Sequence, residues 1–518
     1  MAGQMQGWGS GYVTDVPYMD GFYSAQSPHH LALAATINGF EPAELDGGFS
    51  YCELGCGRGL TSLILAAVNP ESEFHAVDFQ PAHIAHANAQ ARGARLDNVT
   101  FHERSFEDLL AADGPVLPMF DVVTMHGVWT WIAPRLQGAI VEFLNRRLKP
   151  GGVVHVSYNA LPAWMPMGPL QRALKELTGL WPGRIDHAID NALAMLSRLA
   201  EAKVIPANLH DGLKRITDTP EGKLRPYLAH EYLNEYWQPV YHPDVARTLA
   251  GAKLSFASST DLLKNFLNLC LTEPQRALIS EIPRPELREM LKDYCVNDWL
   301  RQDVFVRGVR RMSEGRRDSL LQGLKLTLLR PPPGLIEIYR PDGSVWRPSP
   351  DAYAIFVKAL LTRPHSVAEL LALPGLPPEH GVKPVELVGV LVGTGLAAPF
   401  METRDDAQSA CDRLNRLTEA GSRIGAPRGT TIAVPSVAGG VTLMGGDFDL
   451  YMSARRGETL DPEALAARFV ERCKEQGGHA IVDGKAYEDE TEARAAGAKD
   501  YAVKIDRLVP IWRMIGMV

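Results

Sequence analysis

Tyr51-Cys52-Glu53-Leu54-Gly55-Cys56-Gly57-Arg58-Gly59-Leu60 joins a short apolar run to a glycine-rich turn, with a carboxylate two places before the first glycine. Turns of this kind after a strand usually cradle phosphates, because glycines let backbone N–H groups close on an anion. The spacing argues against that use here. A dinucleotide turn of the G-x-G-x-x-G type, counted from Gly55, needs glycine where Leu60 stands. A P-loop needs Gly-Lys-Ser/Thr, and no lysine is near. The pattern is Glu53-x-Gly55-x-Gly57-x-Gly59, and Glu53 would repel a pyrophosphate and attract an amine.

S-adenosylmethionine carries an α-amino group and a sulfonium cation, and no phosphate. The glycines would admit its methionine moiety against the backbone, with Cys56 packing beside it as a small side chain. Asp78 follows Glu53 by about 25 residues, in His75-Ala76-Val77-Asp78-Phe79, and an acid there accepts both ribose hydroxyls. Nicotinamide sites use the same acid, so Asp78 does not discriminate; Glu53 does. Around these residues short apolar runs alternate with helical stretches: FSYCELGCG, SEFHAVDFQ, NVTFHERSF, FDVVTMHGVW and VVHVSYN read as five strands. Regular alternation predicts an α/β, doubly wound, Rossmann-like parallel sheet.

The 518 residues call for two to four domains, and 46% hydrophobic with 22% charged residues describes a globular chain with ample core. A net charge of −8 gives no basic footprint, so nucleic acid is not expected as a partner. Six scattered cysteines fit a reducing compartment. With no basic leader, apolar signal or spanning run visible, membrane insertion is not expected and the expected location is cytoplasmic.

These motifs together make the chain resemble class I S-adenosylmethionine-dependent methyltransferases. A narrower resemblance covers nearly the whole chain. The leader GYVTDVPYMDGFYSAQSPHHLALAA, the segment YLAHEYLNEYWQPVYHPDVARTLAGAKLSFASSTDLLKNF with DVFVRG, and the motifs HGVWTWI and SYNALPAW are similar to bacterial methyltransferases with a methyltransferase regulatory domain. That group includes protein lysine methyltransferases acting on rickettsial outer-membrane proteins. Two motifs depart from it: Gln26-Ser27-Pro28 replaces the usual Thr-His-Pro, and Ala160-Leu161-Pro162-Ala163-Trp164 alters the aromatic-rich run after Ser157-Tyr158-Asn159.

The resemblance implies S-adenosyl-L-methionine as cofactor, with Phe79, Ser105, Phe106 and Gly127 joining the glycine turn and Asp78, and Tyr12 and Tyr18 closing over it. Ser105 stands where the family often has an acid for the adenine amine. Phe106 either stacks on the base or is core. It also implies a homodimer and a lysine-bearing protein acceptor, which the acidic balance suits.

Acceptor-side candidates follow from the carboxyl ends of the fourth and fifth strands, where open α/β sheets bind ligands. Trp129, Trp131 and Tyr158 either form an aromatic wall for a lysine or its methylated cation, or pack in the core. Asn159 either holds the acceptor nitrogen or caps a turn. His126 either accepts a proton or packs in its loop. No metal is expected: His230-Glu231 fails as a zinc helix because position 234 is Asn234, and Cys52 with Cys56 lacks a second pair. His83 and His86 read as a solvated face.

The expected division is 1–160 as the cofactor-binding core, 161–238 as a helical insertion and 239–310 as the remainder of the regulatory region. A linker over 311–350, a winged-helix-like module over 351–402 and a C-terminal α/β module over 403–518 follow. The competing functions are a small-metabolite methyltransferase whose C-terminal half serves oligomerisation, and a cofactor-binding regulator without turnover.

Overall fold

The structure, a computed structural model, describes residues 9, 11–14, 16, 20–42, 44–45, 47–205, 207–218, 225–377, 379–421, 429–475, 478–482 and 484–518. Its centre is a seven-stranded sheet: β1 (Ser50–Leu54), β2 (Glu73–Asp78), β3 (Val99–Glu103), β4 (Phe120–Met125), β5 (Leu148–Asn159), β6 (Leu254–Ser259) and β7 (Leu300–Arg307). The order across the sheet is β3-β2-β1-β4-β5-β7-β6. β1 to β5 pair in parallel, whereas β7 runs antiparallel between β5 and β6. Every residue of β1 is buried, as a central parallel strand covered on both faces must be.

Four helices cover this frame: α1 (Pro28–Ile37), α2 (Leu60–Val68), α3 (Pro81–Ala94) and α4 (Pro134–Arg147). Proline opens α1, α3 and α4, where its missing N–H costs nothing. The chain leaves β1 on one side and β4 on the other, so strand order reverses between them. The carboxyl ends of those two strands therefore frame a crevice.

The sequence reading expects five strands with LSFASS as a further candidate, and it places DVFVRG at the end of a helical stretch. The structure has a helix only over Pro285–Val296; Asn297 then turns left-handed at φ 50 and the chain extends into β7. Val304, Phe305 and Val306 are buried between β5 and β6, so the pull of a doubly covered strand prevails over the preceding helical pattern.

Between β5 and β6 a helical layer is inserted, with helices Gly168–Thr178, Ile185–Glu201, Ala207–Asp218, Arg225–Tyr232 and His242–Leu249. Leu170, Leu174, Ile189, Leu196, Leu213 and Ile216 make its core at helical spacing. Beyond β7, Glu314–Gly323 is a helix and Lys325–Leu328 is the middle strand of a small sheet with His365–Ser366 and Ala397–Pro399. The stretch read as a linker thus supplies a central strand: Leu326 and Leu328 are fully buried there, ahead of the proline run. Ser366 and Glu369 form the capping box their spacing predicts.

The C-terminal part packs onto the cofactor-side helices. Helix Asp405–Gly421 places Ala410, Cys411 and Leu414 against Leu63, Ala67, Ala87 and Ala91 of α2 and α3. Among the described residues no helix is long and apolar enough to cross a membrane.

Candidate functional site

The crevice between β1 and β4 is a cavity of about 140 Å³, lined by the glycine turn, Asp78, Phe79, the residues after β3 and β4, and the leader. Gly55, Gly57 and Gly59 all adopt positive φ. Their surroundings separate their roles. A Cβ at Gly59 would lie 2.6 Å from the Phe101 ring and 2.9 Å from Ala87, and one at Gly55 2.5 Å from Val128. At Gly57 a Cβ would meet no protein atom within 4 Å. Two glycines therefore serve the packing of the turn, and Gly57 presents the bare backbone to the cavity.

Glu53 is buried at the head of the turn. Ser62 donates to its Oε2 at 2.5 Å and Gln26 Nε2 to its Oε1 at 3.0 Å. Burial pushes its carboxyl up to about 7, against those two hydrogen bonds and with a further push from Asp78. Asp78 accepts from Gly57 N and Gln80 N, each at 2.9 Å, and so ties the turn to the start of α3. Two acids in one crevice set an electrostatic demand for a cationic ligand.

His83, read as part of a solvated face, is buried instead, with Nδ1 donating to Asp78 at 3.3 Å; its neighbour His86 meets Arg58. The first turn of α3 lies at the carboxyl end of β2, and this proximity overrides the polar pattern.

Three buried atoms on the cavity wall have no partner among the described residues: Gln26 Oε1, His83 Nε2 and Trp131 Nε1. Buried polar groups are rarely left so, and their clustering marks a place for a polar ligand. They comprise two acceptors and one donor, beside two carboxylates. An amino acid joined to a nucleoside supplies matching amine, hydroxyl and carboxylate groups.

Phe79, Ser105, Phe106 and Gly127 line the same cavity, as does Cys56. The Ser105 hydroxyl accepts from Asp108 N at 3.2 Å, so it organises its own turn. Gly127 N donates to Ser157 Oγ at 2.8 Å, and a Cβ there would strike the Trp131 ring at 2.9 Å. His126 stacks on Tyr23 with centroids 3.9 Å apart. Tyr12 sits edge-on to Phe79 at 6.0 Å. Tyr18 lies outside the described residues.

The leader is tied to the sheet and to the helical insertion alike. Gln80 Nε2 donates to Thr14 O at 3.1 Å, Val13 N donates to Asn234 Oδ1 at 3.0 Å, and Glu235 N donates to Gly11 O at 2.7 Å.

Of the proposed aromatic wall, only Trp131 reaches the cavity. Trp129 is in the core. Tyr158 donates to Asp303 Oδ2 at 2.5 Å and meets His242 Nδ1 at 3.1 Å, within a buried network in which Arg301 also binds Asp303 and Asp293. Strand alternation explains the placement: Val154, Val156 and Tyr158 share one face of β5 and one core cluster. Asn159 points the other way, and its Nδ2 donates to Glu231 Oε1 at 2.7 Å in the insertion rather than lining the cavity. The sequence reading missed Tyr23, Gln26 and Thr61 as lining residues. Only the departure at Gln26-Ser27-Pro28 pointed toward one of them.

Residues 45–215 match a family model described as a methyltransferase domain, and residues 225–307 one described as a predicted methyltransferase regulatory domain. The chain carries an S-adenosylmethionine-dependent methyltransferase domain. A protein of Synechocystis, sll1526, is 36% identical over 324 residues, covering 62% of this chain and 63% of its own length. Rickettsia prowazekii RP789 is 25% identical over 315 residues, covering 58% of this chain and 51% of its own length. The chain thus spans less than two thirds of either relative. The solved structure of Rickettsia typhi PKMT2 in complex with AdoHcy shares the fold with a TM-score of 0.67 at 17% identity, over 97% of this chain and 99% of that one.

Proposed function

We propose that the protein transfers a methyl group from S-adenosylmethionine to the side-chain nitrogen of lysine in a protein acceptor. The observation that carries the transfer itself is the convergence of Glu53, Asp78 and three unpartnered buried polar atoms on one cavity at the sheet's switch point. Support for a large acceptor comes from the fold shared with PKMT2 along 97% of the chain, including the helical and C-terminal parts that a small substrate does not need. An action in the cytoplasm as a homodimer belongs to the same proposal.

When bound, the cofactor supplies an electrophilic methyl group. The protein's own task is to hold the acceptor nitrogen in line with it, exclude water and take a proton. Trp131 and Tyr12 offer aromatic faces in the cavity for the lysine stem or its cation. His126 lies in the cavity and is the group assigned to receive the ammonium proton. Asn159 is a positioning residue in this reading, since it fastens β5 to Glu231 of the insertion. Tyr158 and Trp129 serve the core.

The test is incubation of the purified protein with S-adenosylmethionine labelled in the methyl group and a bacterial extract. Label is expected in protein and, after hydrolysis, in methylated lysine. Label in small molecules alone would replace the acceptor; no label anywhere, with the cofactor bound, would favour a regulator.

A further inference from the structure

We infer that Gln26 is a second reader of the cofactor's α-amino group, presenting its carbonyl oxygen to the ammonium that Glu53 attracts. The inference rests on the cofactor reading and deepens it. Gln26 is fully buried on the cavity wall and closes a single 3-10 turn, Ser24–Gln26, just ahead of α1. Its amide is oriented by Glu53. Nε2 donates to Oε1 of Glu53 at 3.0 Å, the orientation that the carboxylate form, which a cationic ligand selects, requires. Oε1 of Gln26 then faces away from Glu53, with no partner among the described residues.

An unpaired buried carbonyl is a disfavoured arrangement, so its persistence points to a donor that arrives with the ligand. That donor has to lie within one amide width of Glu53. A single ammonium, with three N–H groups, serves the carboxylate and the carbonyl together, whereas a hydroxyl has one proton to give. The ribose hydroxyls belong by Asp78, which accepts from the opposite arm of the glycine turn through Gly57 N.

The amide is also held from behind. Gln26 N donates to Tyr23 O at 2.9 Å, and the next residue, Ser27, donates its hydroxyl to Ala438 O at 3.4 Å. The C-terminal hairpin Thr430–Val434 and Gly439–Leu443 thereby abuts the turn that bears the amine reader.

The experiment compares two ligands by calorimetry on the full-length protein. S-adenosylhomocysteine keeps the α-amino group, and 5′-methylthioadenosine lacks the whole amino-acid arm. Gln26→Met is expected to weaken S-adenosylhomocysteine about tenfold, as loss of a hydrogen bond to a charged group does, and to leave 5′-methylthioadenosine unchanged. Gln26→Asn, which keeps an amide but withdraws it, is expected to give the same pattern and guards against misfolding of the first variant. Unchanged affinity for S-adenosylhomocysteine in both variants overturns the inference, and so does an equal loss for both ligands, which marks a merely structural role. If the wild-type protein binds neither ligand, the cofactor reading itself falls, an outcome distinct from either.

Discussion

The two sides of the crevice are built in opposite ways. The cofactor side is local: Glu53, the three glycines and Asp78 lie within one strand–helix–strand unit, tied by Gly57 N to Asp78. The other side, where the proposed acceptor would enter, is gathered from afar. Residues 11–14 of the leader meet residues 234–235 of the insertion, and Asn159 meets Glu231. A local unit is specified by short-range geometry. A gathered one depends on the tertiary contacts that bring its parts together, including the buried charges that hold β5 to the regulatory segment.

The most severe way to break the comparison is at Glu53 and Asp78. Glu53→Ala or Asp78→Ala is expected to remove S-adenosylmethionine binding from calorimetric detection while the fold survives. Unchanged affinity in both would sink the cofactor assignment.

On the gathered side, Arg301→Met leaves the buried Asp303 and Asp293, and the partly buried Glu289, without their shared cation. Breaking such a network typically costs about 3–5 kcal/mol, so the unfolding midpoint in urea should drop markedly. The folded fraction should keep its affinity for S-adenosylhomocysteine, since none of these groups lines the cavity. An equal fall in affinity would mean that the two sides are not separable.

The pH dependence of binding sharpens the local side. Folding lifts Glu53 from 4.5 to about 7, so the ligand-free protein gains stability from its proton at low pH and loses that gain as pH rises toward about 7. A cationic ligand prefers the carboxylate. Its affinity should therefore be full above about pH 7 and fall by up to about tenfold per unit below it. A flat profile from pH 5 to 8, measured with S-adenosylhomocysteine, would contradict a buried Glu53 facing the amine.

The smallest effects separate the glycines. Gly59→Ala is expected to cost about 1–3 kcal/mol of stability, from positive φ and overpacking against Phe101 and Ala87. Gly57→Ala meets open space, so it should cost about 1 kcal/mol of stability through φ alone and show its larger effect in ligand affinity. Denaturant unfolding beside calorimetry tells the two apart.

The cofactor half was legible because its signals are short-range. Spacing excluded phosphate ligands, and the charge of Glu53 selected an amine. The sheet's first five strands announced themselves by apolar runs between helical stretches. β7 was not legible, because an eight-residue strand followed a helix without a glycine or proline between them, and only pairing with β5 and β6 settles it. The acceptor candidates were read at the ends of β4 and β5, but which way their side chains point was not legible. Tyr158 follows the alternation of β5 into the core, and His83 turns into the cavity because its helix starts at the end of β2.

By itself, then, the sequence determined the sheet domain, the class of its cofactor and a continuous stretch of residues that the structure places on the cavity wall. Periodicity and spacing act over a few residues, and that is the range over which the glycine turn and its two acids are organised. Only the tertiary structure decided that Gln26 and Tyr23 belong to the cavity, that Tyr158 and Trp129 do not, and that β7 completes the sheet. Those outcomes depend on which surfaces remain to be buried once distant segments have docked, and no local pattern carries that information.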